Sequence, residues 1–473
     1  MYRATVSLLA LALSSPAVAQ SVDAKSGSGA QGGMPPQSES IIVTGGRVDE
    51  GDVAGSADIV GPEDLREFEY GDVNRVLRQV PGVNLQEEDG FGLFPNIGLR
   101  GTPVERSSNI TLMEDGVLIA PAPYAAPAAY YFPAVGRMAA VEVVKGARAV
   151  AYGPRTIGGA VNFRSTPIPV AGFAGSASGQ YGSRGYYQGH GWVGGETDNV
   201  GALLETFQQG SDGFKTIDGF PNADTGFDRQ DYRGRFAVHS SPDAPTDARL
   251  ELVYGRSELD ANETYLGLAD TDFAADPYRR YAASQRDRFT GEHDQYRITG
   301  SLRLIDDTKI TATLYRNDFA RSWSKLQDID FDADGRFEAI QPVFDDPDAN
   351  PEALAILRGA DSAAGALRVR NNNRVYRSQG VQVSLEKPFE AGGVRHNLTV
   401  SARVHEDEED RLQNEDFYTQ TAGDLVFVRQ TALGEQANRE AKADAIAFYL
   451  EDRIEFGRLT LTPGIRYEGI TLT

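Results

Sequence analysis

The chain of 473 residues has no cysteine. Thiolate metal sites, cysteine nucleophiles and disulfides are therefore excluded, and export would require no oxidative folding. No apolar run approaches the ~20 residues that a membrane helix needs. A membrane-spanning reading is left only to β-strands, whose alternating lipid-facing and lumen-facing residues escape a hydropathy scan. Positive charge is short: 46 Lys and Arg against 68 Asp and Glu leave a net charge of −22. That balance argues against nucleic acid as a partner, because phosphate contacts need clustered cations in a favourable field. The five histidines are scattered, and His405-Glu406-Asp407-Glu408-Glu409 does not form H-E-x-x-H. There is no G-x-S-x-G elbow, no G-x-x-x-x-G-K-[ST] and no G-x-G-x-x-G. The expectation is a protein that is not an enzyme and holds no resident cofactor.

Fifty-one glycines and twenty tyrosines suit a β-rich chain with many turns. Met1–Ala19 reads as a secretory signal, with Arg3 as its positive start, Val6–Leu13 as a short apolar core and Ala17-Val18-Ala19 as a small-residue cleavage site. A Ser-, Gly-, Gln- and Pro-rich tail follows and should be disordered. It ends in the β-branched run Ile41-Ile42-Val43-Thr44, suited to joining the open edge of a partner's sheet.

Between Asp72 and Asn162 stand three pieces in order: DVNRVLRQVPGV, NIGLRG, and VEVVKG followed by AYGPRTIGGAVN. In the first, Val73, Val76, Leu77 and Val80 share one helix face, and Pro81-Gly82 ends the helix. Asp115-Gly116 is a turn between two short strands. From about Gly172 the texture changes to alternating strands: Leu250, Leu252 and Tyr254 share a face, as do Ile298, Leu302 and Leu304, Val381, Val383 and Leu385, and Ile446, Phe448 and Leu450. Short turns alternate with long acidic stretches, the asymmetry of a barrel with short periplasmic turns and long outer loops.

These pieces resemble the plug and barrel of TonB-dependent outer-membrane receptors. Within that family, LMEDG at Leu112–Gly116, Ala122-Pro123-Tyr124 and the run Val150–Asn162 are similar to ferric dicitrate receptors. The resemblance implies a mainly β protein: an N-terminal mixed α+β plug inside a transmembrane antiparallel β-barrel, here about half of the ~22 strands such transporters have. The expected domains are a signal peptide at 1–19, a flexible stretch with a TonB box at 20–45, a plug at 46–169 and the N-terminal part of the barrel at 170–473. The chain reads as C-terminally truncated, and the short stretch before the box leaves no room for an N-terminal signalling domain.

The resemblance also implies roles. Ile41, Ile42, Val43 and Thr44 would be the TonB box. Arg106, Tyr124, Tyr130 and Tyr131 would face ligand from two apical plug loops, with Arg106 as the fork for a carboxylate. Arg100, Glu142 and Lys145 on the plug would pair with barrel carboxylates such as Glu451 and Glu468. The partners implied are TonB with its inner-membrane energising complex, a ferric siderophore and outer-membrane lipid. The function implied is TonB-dependent import of a ferric-siderophore complex, dicitrate-like. The alternatives are another cargo (cobalamin, haem, carbohydrate) or a non-transporting adhesin or phage-binding barrel. Alanines at 125, 126, 128 and 129 depart from the polar amides that dicitrate receptors carry in the second apical loop.

Two further patterns carry chemistry. Asp330, Asp332, Asp334 and Gly335 match the first half of a calcium loop, with Gln341 in place of the twelfth-position Glu; this makes calcium a candidate ligand. Arginines at 279, 280, 286, 288, 368, 370, 374 and 377 could line an anion funnel or balance neighbouring carboxylates.

Overall fold

The computed structural model describes residues 40–43, 46–49, 55–170 and 172–473, the first two stretches as backbone. The stretch read as a signal sequence, most of the polar tail and Thr44 lie outside the described residues. Ile41, Ile42 and Val43 fall in strand β1 (Ser40–Val43), which pairs antiparallel with β2 (Gly46–Asp49).

The next segment is mixed α+β. It runs β3 (Ser56–Val60), α1 (Pro62–Phe68), α2 (Val73–Leu77), β4 (Val83–Gln86), β5 (Asn96–Leu99), β6 (Thr111–Glu114), β7 (Val117–Leu118), β8 (Met138–Lys145) and β9 (Ala160–Ser165). Its main sheet has the order β3-β8-β9-β6-β7, with β6 and β9 parallel. The apolar face predicted for Val73, Val76, Leu77 and Val80 is buried. Asp72 caps α2, its carboxylate accepting from the Asn74 amide at 2.8 Å. Val141 and Val143 of β8 and Val161 and Phe163 of β9 complete the core.

The remaining chain is an antiparallel meander. Its strands are β10 (Phe173–Tyr181), β11 (Tyr187–Glu196), β12 (Val200–Ser211), β13 (Thr216–Ile217), β14 (Phe227–His239), β15 (Asp247–Ala261), β16 (Arg279–Arg280), β17 (Arg288–Arg303), β18 (Lys309–Ile329), β19 (Glu338–Ala339), β20 (Leu367–Ala391), β21 (Val394–Thr421), β22 (Asp424–Gln430), β23 (Ala437–Phe456), β24 (Leu459–Leu461) and β25 (Gly464–Leu472). They form a fourteen-stranded sheet from which only β13 and β16 stand apart, and the sheet is not closed between β10 and β25.

Polarity on this sheet is inverted relative to a soluble protein. Leu250, Leu252, Tyr254, Ile298, Val381, Val383, Ile446, Phe448 and Leu450 are exposed on its outer face. Asp231, Arg233, Arg235, Gln295, Arg297, Asn317 and Arg403 are buried on its inner face against the plug. An apolar outer face over a polar inner one is the pattern of a barrel wall that meets lipid. β20 and β21, at 25 and 28 residues, exceed the ~9–11 residues that cross a bilayer, so they continue beyond it. There the long connections carry α3 (Asp270–Ala275), α4 (Gln341–Asp345) and α5 (Pro351–Leu357) around a second apolar core that includes Tyr281, Ile329, Val343, Leu354 and Leu357.

Candidate functional site

The inner wall above the plug carries a row of arginines. In register, Arg321 of β18 lies opposite Arg374 of β20, Arg374 opposite Arg411 of β21, and Arg411 opposite Arg439 of β23. Directly opposed residues in an antiparallel sheet are only ~4.5–5.5 Å apart, and like charges there are destabilising. Glu409 answers Arg374 at 2.7 Å. Arg321 instead donates to the Asn372 carbonyl at 3.3 Å, and Arg411 to the Gln413 amide oxygen at 3.0 Å, both neutral acceptors. Amide side chains share the face of the row: Asn372 donates to the Trp323 carbonyl and Gln413 to Asn372.

The plug brings Arg106 and Tyr130 to this wall. Arg106 lies in a short helical turn, Glu105–Ser107, with its backbone in the left-handed region (φ 47°, ψ 28°). Its guanidinium sits 5.2 Å from the ring centres of both Tyr130 and Tyr265 and 5.4 Å from Trp323. It donates to Glu88 at 2.7 Å and to the Tyr265 hydroxyl. The other tyrosines named from the sequence go elsewhere. Tyr131 stacks on His293 at 3.7 Å. Tyr124 is buried on the barrel wall, donating to Glu468 at 3.2 Å, while Asp407 accepts from the Tyr124 and Ala125 amides, each at 2.9 Å.

The contact between plug and barrel is ionic and differs from the pairs expected. Lys145 bonds Asp58 and the Pro81 carbonyl within the plug. Glu142 accepts from Asn162 and pairs with Arg164, also within the plug. Arg100 is exposed and lies beside Gly146. On the barrel side, Glu451 meets plug residue Arg148, and Glu468 accepts from its strand neighbour Arg466 as well as from Tyr124. The densest network centres on Glu114 and Asp115, which the sequence offered only within the LMEDG motif and its Asp115-Gly116 turn. Glu114 holds plug Arg137 at 2.8 Å and barrel Arg233 at 2.5 Å. Arg137 reaches barrel Asp231 at 2.9 Å. Asp115 holds Arg235 at 2.8 Å and Arg297 at 2.9 Å. Burial acts to raise the Asp115 pKa, but Arg297, Arg235 and Arg233 override it and hold the carboxyl well below the usual 3.8.

Asp330, Asp332 and Asp334 do come together, their carboxylate oxygens within 4.8 Å of one another. They sit in an exposed outer loop and already accept from the amides of Gly335, Asp334 and Arg336. Most of the funnel candidates are balanced locally: Arg279 by Asp218 and Asp272, Arg288 by Asp260, Arg368 by Asp328, Arg370 by Glu415 and Arg377 by Asp318. Arg374 alone of that set joins the row. Sequence reasoning missed Arg321, Arg411 and Arg439 there, and Glu88, Tyr265 and Trp323 around Arg106. Strand parity was the available signal: Arg374 is an even number of residues from the inward-facing Tyr376, and Arg377 is not.

A plug, a lipid-facing sheet wrapped against it and a cationic vestibule define an outer-membrane receptor architecture. Residues 49–160 match the TonB-dependent receptor plug domain, and residues 260–473 match the TonB-dependent receptor-like β-barrel. Together these cover more than half of the chain, and the chain belongs to the TonB-dependent receptors, which are not enzymes. Solved structures share the fold. The ferric citrate transporter FecA in its unliganded form is 24% identical with a TM-score of 0.63, over 89% of this chain and 57% of that one. The ferric-catecholate import receptor Fiu from E. coli K12 is 14% identical with a TM-score of 0.61, over 89% and 60%. The ferric yersiniabactin uptake receptor FyuA from Yersinia pestis is 14% identical with a TM-score of 0.57, over 89% and 61%. The chain thus spans about three fifths of the length of these receptors.

Proposed function

We propose that this protein works in the outer membrane as a TonB-energised importer of a ferric chelate with carboxylate ligands, of the ferric dicitrate kind. The observation that carries this reading is the cross-strand row Arg321, Arg374, Arg411 and Arg439. Four aligned cations with one close carboxylate cost stability unless an anion joins them. Guanidinium forks suit carboxylates, and the amides of Asn372 and Gln413 supply neutral donors beside them. The wall therefore offers the polar groups that the alanine-rich second plug loop lacks. Ligand on the plug apex would signal to the segment around Ile41–Thr44, TonB would pair with that segment, and pulling would open the plug. The outer membrane has no ATP, so the force has to come through a periplasm-spanning partner.

The test is a titration of the intact receptor with ferric dicitrate, iron-free citrate, a catecholate siderophore and cobalamin, followed by intrinsic fluorescence. Saturable binding of ferric dicitrate supports the reading. Binding of the catecholate or cobalamin instead overturns the cargo.

A further inference from the structure

Arg106, the apical plug arginine, is already occupied. Glu88 places one carboxylate oxygen 2.7 Å from its Nη2 and receives the Asn96 amide at 3.1 Å on the other. Asn96 also accepts the Arg106 backbone N–H at 2.9 Å, so one amide side chain holds anion and cation in register. The Arg106 carbonyl accepts from Ala129, fixing a left-handed backbone that a residue with a side chain adopts at a cost. Three aromatic rings cover the guanidinium side of the pair, leaving Arg106 11% and Glu88 20% exposed, which strengthens it relative to a surface ion pair. The barrel arginines differ: Arg321 and Arg411 face neutral acceptors. Tyr130 joins the two places, with Arg106 at 5.2 Å from its ring centre and Arg321 at 3.8 Å.

We propose that Glu88 sets the specificity of the vestibule, as an internal carboxylate that an incoming anion must displace from Arg106. This rests on the anionic-chelate reading above. A lone carboxylate gains from Arg106 no more than Glu88 already supplies, so it does not displace it. A chelate that engages Arg106 together with Arg321 gains contacts that Glu88 cannot reach. The pair thereby discriminates by charge density and span, and rejects small carboxylates.

The experiment uses the intact receptor carrying Trp192→Phe, which leaves Trp323 beside Arg106 as the one tryptophan of these 473 residues, and a Trp323→Phe control isolates its signal. Its fluorescence is titrated with ferric dicitrate, iron-free citrate and acetate in the parent, Glu88→Gln and Glu88→Gln/Arg106→Gln. Glu88→Gln is expected to bind ferric dicitrate roughly tenfold more tightly, as one charge-assisted bond is released, and to begin responding to iron-free citrate. The double variant is expected to lose the gain. If the parent binds ferric dicitrate and Glu88→Gln binds it equally or less well, Glu88 only positions Arg106 and the inference fails while the chelate reading stands. If the parent ignores ferric dicitrate but Glu88→Gln binds citrate through Arg106, the inference stands and that cargo falls. Silence in every variant overturns both.

Discussion

The guanidinium of barrel residue Arg321 lies 3.8 Å from the ring centre of plug residue Tyr130. On the same ring, plug residue Arg106 sits at 5.2 Å. One tyrosine thus carries cations from both domains. A desolvated cation–π contact is worth up to ~2 kcal/mol. Tyr130→Leu is expected to weaken ferric chelate binding several-fold, whereas Tyr130→Phe keeps the ring and should bind like the parent. Equilibrium titration distinguishes the two.

Asp115 ties the plug to the barrel through both Arg235 and Arg297. Replacing it with Asn leaves Arg235 and Arg297 to share Glu251 alone, a loss smaller than the ~3–5 kcal/mol of a wholly uncompensated buried charge. The expected readout is faster hydrogen exchange in β6 and β7 and a more permeable outer membrane. Lys145→Met removes contacts within the plug, to Asp58 and the Pro81 carbonyl, and should leave the β6–β7 exchange as in the parent.

Strand addition at the N-terminal segment needs backbone donors. Ile42→Pro removes one and restricts its neighbour. Uptake is expected to fall to background while binding of the chelate at the vestibule is retained. Intact uptake in this variant would favour a surface-binding barrel without transport.

Asp287 closes the outer loop that begins near Thr264. Its carboxylate accepts from the Thr264 hydroxyl and, at 2.8 Å, from the Leu326 amide. Burial pushes its pKa from 3.8 up to about 7, against the pull of these bonds and of Arg280 and Lys325. Because the folded loop holds the proton more tightly, its contribution to stability is complete below about pH 3.8 and is lost as pH rises through about 7. Amide exchange at Leu326, corrected for its intrinsic rate, should therefore be faster at pH 8 than at pH 5.5. Asp287→Asn should flatten that difference.

Much of the fold was legible because its signals are local. The α2 periodicity, the Asp115-Gly116 turn and the alternation at Leu250, Leu252 and Tyr254 depend on near neighbours alone, and each appears where expected. The site was less legible because it depends on register. Arg321 and Arg411 are 90 positions apart in the sequence and meet only through Arg374. Glu114 and Arg233 likewise pair across a domain boundary that no spacing reveals. Lys145 and Glu142 were read as reaching the barrel, yet β8 lies inside the plug sheet and its charges are met there.

We assign binding of an anionic ferric chelate to the row Arg321, Arg374, Arg411 and Arg439. The direct measurement is calorimetric titration of ferric dicitrate into the intact receptor and into Arg321→Gln/Arg411→Gln. Each lost charge-assisted contact costs about 1.5–3 kcal/mol, so saturable binding is expected in the parent and a loss of at least roughly hundredfold in the double variant. Equal affinity in the two receptors would contradict it.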